Sequence, residues 1–362
     1  MEIKRIGVLT AGGDCPGLNA VLRAVCKTAI LGYGLEVIGF LDGFKGVVKN
    51  EYQKLDLEAV SGILHTGGTI LGSSNRDNPF RFYEPDENGG HYSDYSDQAM
   101  ENIRNLGIDA FVVIGGDGTL HIADGFARKG LKVVGVPKTI DNDLMATNVT
   151  FGFNTAVATA SEAIDKLHTT AESHHRVMLL EVMGRYAGWI ALHSGISGGA
   201  DVILIPEIPF RTEKIIEKIR ERENRGRHFS IIVVAEGAKE EGGEMVVQKY
   251  VKESHDPIRL GGIADYVAHR IEALSNIETR VTVLGHLQRG GAPVPYDRIL
   301  STRYGAAAVH ALMRGEFGKM VSLDGDSIVT VSIQDAIEDL KKIDPNGEIV
   351  QAAKSVGISF GD

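Results

Sequence analysis

The chain has 362 residues, 43% hydrophobic and 24% charged, the proportions of a folded globular protein and not of a disordered, collagenous or disulfide-stapled one. Its net charge of −10 excludes a broad basic face for nucleic acid, so any anionic ligand must be met by locally concentrated cations. Two cysteines, Cys15 and Cys26, are too few for a stapled secreted domain and predict a reducing, cytoplasmic setting. No run of 18 apolar residues is present to span a membrane, and the opening MEIKRIGVLTAGGD enters a strand without the apolar core of a signal peptide.

The first β-branched run, Ile6–Leu9, breaks at a Gly-rich stretch, Thr10 to Asn19. A helical stripe follows, with Leu18, Val21, Leu22, Val25, Cys26 and Ala29 on one face, and Pro16 stands where a first helical turn tolerates proline. The stretch Glu84–Gln98 is acidic, contains glycine and lacks aliphatic residues; it reads as a surface loop or short hairpin. Further runs follow at Phe111–Ile114, Val133–Val136, Val177–Val182, Val202–Ile205, Ile231–Val234 and Val281–Leu284. Each is apolar on consecutive positions, as strands buried on both faces are. Between two of them, segment 213–225 is charged with Ile215, Ile216 and Ile219 as its apolar face. Strands alternating with helices predict an α/β fold with mainly parallel sheets and helices on both faces. The length predicts two domains, and without a Pro- or Ser-rich linker the chain is expected to cross between them more than once.

Polar chemistry gathers where the strands end, which is where open α/β sheets bind ligands. Gly12 and Gly13 follow the first strand. Their turn is either conformational or a phosphate cradle, and it is neither a GxGxxG fingerprint nor a Walker loop. Ile114-Gly-Gly-Asp-Gly-Thr-Leu120 follows another. Asp117 is suited to magnesium, which needs only one or two carboxylates beside phosphate oxygens, and Gly116 and Gly118 leave room for a phosphate chain. A helix cap would explain Asp117 but not the glycines around it. In Pro137-Lys-Thr-Ile-Asp-Asn-Asp143 two carboxylates stand two residues apart on one side of an extended segment. Crowding raises one pKa, as a general base acting on an alcohol requires; a polar turn is the plainer alternative. Arg176, Arg185, Arg280 and Arg289 flank two further runs, and guanidinium forks match phosphate oxygens. The histidines, including His168, His174 and His175, have no metal-site spacing.

Taken together, GGDCPGLN, IGGDGT, PKTIDND, EVMGR and VLGHLQRGGAPVPYDR resemble the 6-phosphofructokinases, in that family's order and spacing from residue 6 to about 304. The resemblance implies two Rossmann-like domains with the active site in the cleft between them. A nucleotide- and magnesium-binding domain would comprise 1–152 with a return segment of about 286–320. A sugar-phosphate domain would comprise 153–285 with about 321–362. It implies phosphoryl transfer to the 1-hydroxyl of fructose 6-phosphate, with Asp141 as base and Lys138, Thr139 and Asp143 beside it. Asp117 would bind Mg2+. Gly13, Gly116, Gly118, Thr119, Asn75 and Arg76 would meet the donor phosphates. Thr139, Asp141, Met183, Gly184, Arg185, Glu236, His286 and Arg289 would form the sugar-phosphate pocket. Arg176 and Arg280 match arginines that reach in from a neighbouring subunit, which implies a homotetramer. Lys138 and Asn75 depart from the allosteric bacterial pattern, which has Gly and Arg there. Lys138 or Arg76 would then neutralise the transferred phosphate. Pyrophosphate users resemble GGDD, with an acid at the position of Gly118; the glycine here implies ATP as donor, with pyrophosphate as the alternative.

Overall fold

A computed structural model describes residues 3–85, 90–250 and 258–362. Its large sheet runs in the order Ser327–Ser332, Lys319–Asp324, Val133–Thr139, Ala110–Gly115, Arg5–Thr10, Glu36–Phe40 and Tyr52–Leu55, and the short Phe151–Gly152 pairs beside Val133–Thr139. The middle five strands are parallel and the two outer ones antiparallel. Ala110–Gly115 is buried at every position, so its side chains need cover on both faces, which the flanking helices supply. A second, four-stranded parallel sheet has the order Val202–Leu204, Ser230–Ala235, Val177–Val182, Thr279–Val283. The α/β reading therefore holds.

Both sheets reverse their winding. From Arg5–Thr10 the chain goes outward to Glu36–Phe40 and later returns to the other side of the first strand with Ala110–Gly115. From Val177–Val182 it builds one flank and then places Thr279–Val283 on the other. Such reversals open a crevice at the strands' carboxyl ends, and the Gly12, Asp117, Met183 and Arg289 loops all sit at these crevices. One apolar cluster joins the inner faces of both sheets, with Val8, Val112, Leu180 and Val233 among its members, and separate clusters cover the two outer faces. The helix Leu18–Lys27 crosses Pro295–Met313 closely. Gly305 permits this, since a Cβ there would lie 2.6 Å from the Val21 carbonyl oxygen.

Three local expectations change. Segment 321–332, expected with the second domain, hydrogen-bonds into the large sheet as part of an edge hairpin turned at Gly325-Asp326. Its β-branched run Ile328, Val329, Thr330, Val331 suits a strand beside that two-residue turn, so the chain leaves the large sheet only after the helix Ile333–Ile337. Pro16 precedes the helix instead of opening it, because Gly17, at φ 110°, takes the cap. The last apolar run forms the strand Thr279–Val283, which is partly exposed because it has a partner strand on one side alone. Within the acidic stretch, Phe82–Glu84 and His91–Ser93 pair antiparallel; residues 86–89 lie outside the described residues. No helix among the described residues is long and apolar enough to cross a membrane.

Candidate active site

Gly12 and Gly13 follow the strand Arg5–Thr10 directly. Gly12 sits at φ 84°, and a Cβ on it would lie 3.1 Å from Lys138 Nζ and 3.4 Å from Thr119 Oγ1. A Cβ on Gly13 would meet the Arg289 guanidinium at 2.6 Å. Only glycine lets three loops converge here. The Gly12 N–H donates to Ser74 O at 2.9 Å, which ties in the exposed turn bearing Asn75 and Arg76. Asn19 serves structure: its amide donates to Thr66 Oγ1 at 2.9 Å and accepts from Ile70 N–H at 2.8 Å.

The second glycine loop ends the strand Ala110–Gly115. Asp117 opens the helix Asp117–Arg128 with Gly118 and Thr119 in its first turn, so the helix's unpaired N–H groups and positive pole face the crevice. Thr119 is buried, and a Cβ on Gly115 would strike its methyl at 2.2 Å. The Asp117 carboxylate is partly exposed and 3.3 Å from His121 Nδ1.

Lys138 and Thr139 end the strand Val133–Thr139. Lys138 is 4% exposed, and its ammonium donates to Gly13 O. Burial pulls its pKa down to about 8 although Cys15, Asp14 and Asp143 pull the other way. The next turn carries the two carboxylates. Burial, then the charge of Asp143, push Asp141 up to about 7, against Arg289 and Arg185. Burial also raises Asp143, with Asp117 adding to the effect and a hydrogen bond from Thr139 opposing it. The two titrate as a pair. Asp141 Oδ1 is buried with no hydrogen-bond partner, so one carboxylate oxygen of the pair is left open to a group the chain itself does not provide.

Opposite lies the end of the second sheet. Gly184, at φ 134°, turns the chain after Val177–Val182, and a Cβ on Gly237 would overlap the Arg185 carbonyl at 1.8 Å. That contact locks Met183–Arg185 against Glu236. Burial raises the Glu236 carboxyl while Arg185 and Arg289 lower it. A cavity of about 340 Å³ is lined by Glu181, Met183, Glu236, Gly262, Asp265 and His286 among others, large enough for a small metabolite. The wholly buried Gln288 accepts from Met183 N–H at 3.3 Å and joins the two runs; it stands inside the HLQR motif, whose buried amide the sequence reading passed over. Glu181, also buried, accepts from the N–H groups of Gly262 and Ala264 at the start of the helix Ile263–Ser275.

The structure thus brings Gly13, Lys138, Asp141, Asp143, Asp117, Arg185, Glu236 and Arg289 into one electrostatic neighbourhood. It turns Arg176 and Arg280 elsewhere: both pair with Glu278, Arg176 at 3.2 Å. A family model described as phosphofructokinase matches residues 5–312. The chain belongs to the phosphofructokinase family. Over 362 residues it is 61% identical to an ATP-dependent 6-phosphofructokinase 2 of Clostridium perfringens, covering 99% of each chain. It is 53% identical to an ATP-dependent 6-phosphofructokinase of Chloroflexus aurantiacus, covering 99% of this chain and 98% of that one. A pyrophosphate–fructose 6-phosphate 1-phosphotransferase of Streptomyces coelicolor is 49% identical over 99% of this chain and all of its own. Among solved structures, phosphofructokinase from Saccharomyces cerevisiae superposes with a TM-score of 0.79 at 30% identity, over 99% of this chain and 48% of the yeast chain. The phosphofructokinase family motifs thus coincide with the loops that converge on the cleft.

Proposed function

We propose that this chain transfers the terminal phosphoryl group of ATP to the 1-hydroxyl of D-fructose 6-phosphate, giving fructose 1,6-bisphosphate and ADP, as a cytoplasmic glycolytic kinase. The observation that carries the reading is the unpartnered, buried Asp141 Oδ1, within the field of Asp143, Arg289, Glu236 and Arg185, with the Lys138 ammonium sharing Asp143 and Arg289 as neighbours. Phosphoryl transfer asks for in-line placement and charge neutralisation more than for covalent chemistry. Asp141 takes the hydroxyl proton; Thr139 and Asp143 hold the turn that aims it. Lys138 neutralises the moving phosphoryl group from within the Gly12–Gly13 loop, with Arg76 and Asn75 on the turn that Gly12 binds. Gly13, Gly116, Gly118 and Thr119 leave backbone N–H groups open to donor phosphates. Met183, Gly184, Arg185, Glu236, His286 and Arg289 hold the sugar phosphate.

The residues fit a magnesium ion. Asp117 offers a partly exposed carboxylate at the cleft, and its charge reaches Asp143, so a cation would relieve a repulsion already built in. Asp117 would hold the ion, which when bound supplies charge neutralisation for the donor phosphates. We place the nucleotide and magnesium on the large-sheet half and the sugar phosphate on the second. The working enzyme on this reading is a homotetramer in which Arg176 and Arg280 complete a neighbour's pocket.

Gly118 favours ATP: the second residue of the helix Asp117–Arg128 has no side chain to crowd a nucleotide's phosphates. Lys138 and the similarity to a pyrophosphate-named relative favour the second reading, a pyrophosphate-dependent phosphotransferase. Purified protein assayed with fructose 6-phosphate, Mg2+ and either donor is expected to turn over ATP and to lose that activity on Gly118→Asp. Turnover of pyrophosphate alone would overturn the choice of donor.

A further inference from the structure

The turn that carries Asp141 and Asp143 is strained. Asn142 and Ala146, neither of them glycine, sit at φ 52° and 56°. Left-handed backbone is disfavoured by a Cβ, more at Ala146 than at Asn142, and persists where the surroundings over-determine it. The surroundings here include a residue beyond the 5–312 span of the family model. Lys341 donates from Nζ to Asn142 Oδ1 at 3.0 Å, to Thr147 O at 2.9 Å and to Asn148 O at 2.9 Å. All three protons of the ammonium are thereby used on one loop. The Lys341 backbone N–H donates to Asp143 O at 2.8 Å, and Leu340 bridges antiparallel to Leu144.

The same segment is anchored to the other half of the cleft. Lys341 O accepts from Trp189 Nε1 at 2.8 Å. Two residues on, Ile343 N–H donates to Glu207 Oε1 at 3.0 Å, and the same carboxylate accepts from Gly188 N–H at 3.1 Å. Gly188 and Trp189 follow Arg185 by three and four residues, so the strap 340–343 grips the loop of the carboxylate pair with one edge and the flank of the Met183–Arg185 run with the other.

We infer that Lys341 is a positioning residue for phosphoryl transfer, holding the strained 141–148 turn, and with it the Asp141 carboxylate, in register with the Met183–Arg185 loop across the cleft. The proposal rests on Asp141 being the base. A base displaced by an ångström loses rate far more than it loses substrate affinity, so the signature is a fall in kcat with KM preserved.

The test uses the full-length enzyme with Mg2+, ATP and fructose 6-phosphate, comparing Lys341→Met, Lys341→Arg and Asp141→Asn. Lys341→Met should lower kcat by about 30- to 100-fold, with both KM values within about threefold of the parent. Lys341→Arg, which keeps the cation, should recover most of the loss. A Lys341→Met enzyme with parental kcat, or one whose loss lies wholly in KM, overturns the proposal. If Lys341→Met yields no folded protein by circular dichroism, Trp189→Phe decides. It leaves the ammonium and the Glu207 anchor but removes the strap's tie to Trp189, and should cost kcat about three- to tenfold at unchanged KM; parental kcat overturns the proposal. Asp141→Asn separates the two readings. If it retains parental turnover, the base assignment falls and the proposal with it. If it is inactive while Lys341→Met is parental, only the positioning role falls.

Discussion

In the loop 141–150 the backbone is tied down on several sides while the Asp141 Oδ1 is left without a partner. Thr150 donates to Thr139 O at 2.7 Å, Asn148 N–H donates to Leu323 O at 2.8 Å, Tyr304 OH donates to Val149 O at 2.6 Å, and Lys341 closes the underside. Along the edge strand Thr279–Val283 the chain does the reverse. Arg280 has a half-exposed side chain held by its near neighbour Glu278, and Val283, Leu287 and Ile299 stand 52%, 68% and 62% exposed. One region is organised within the chain, before any ligand arrives. The other has its cations parked on a local carboxylate and apolar residues still in water. The difference teaches where each part of the proposed function would be built: proton transfer from within one chain, and part of the phosphate binding from an edge open to another copy.

The largest effect expected from breaking the organised region, apart from the base itself, is at Lys138. Lys138→Met removes the buried cation proposed to neutralise the phosphoryl group and should lower kcat by about 10²–10³-fold; a loss confined to KM would reassign it to ground-state binding. The same region predicts a narrow pH profile for kcat/KM. Asp141 must be ionised to accept a proton, and its pKa is about 7, so activity rises as pH climbs through that value. Lys138 must stay protonated, and its pKa is about 8, so activity falls above it. The alkaline limb should weaken but persist in the residual activity of Lys138→Met, because burial also lowers Lys341, which holds the same turn, to about 8. A profile flat from pH 6 to 9 would contradict both assignments.

The smallest effect belongs to the open edge. If Arg280 completes a neighbour's pocket as proposed, Arg280→Ala should raise KM for fructose 6-phosphate about tenfold, with kcat little changed. Parental KM would mean that the arginine serves only Glu278 and that the edge completes no site.

The sequence reading went furthest where chemistry is local in the chain. The glycine loops, the TIDND turn and the MGR and HLQR runs each combine their residues within ten positions, and each lies at the end of a predicted strand. It stopped where function depends on residues far apart. Lys341 reaches Asn142 across 199 positions, and nothing in Leu340-Lys-Lys-Ile343 distinguishes it from a solvated surface run. Glu207 and Trp189 are equally silent until the fold brings Ile343 and Lys341 beside them. The hairpin 319–332 went unread, because an edge strand half in water lacks the continuous apolar run that marked the buried strands. Asn19, inside a motif, belongs to the scaffold of the loop 66–70.

The most direct test of the account is the Asp141→Asn enzyme, measured for turnover of ATP and fructose 6-phosphate and, by titration calorimetry, for sugar-phosphate binding. The account predicts a kcat lowered by about 10²–10⁴-fold with sugar-phosphate affinity preserved. Parental kcat, or lost affinity with the rate intact, would contradict it.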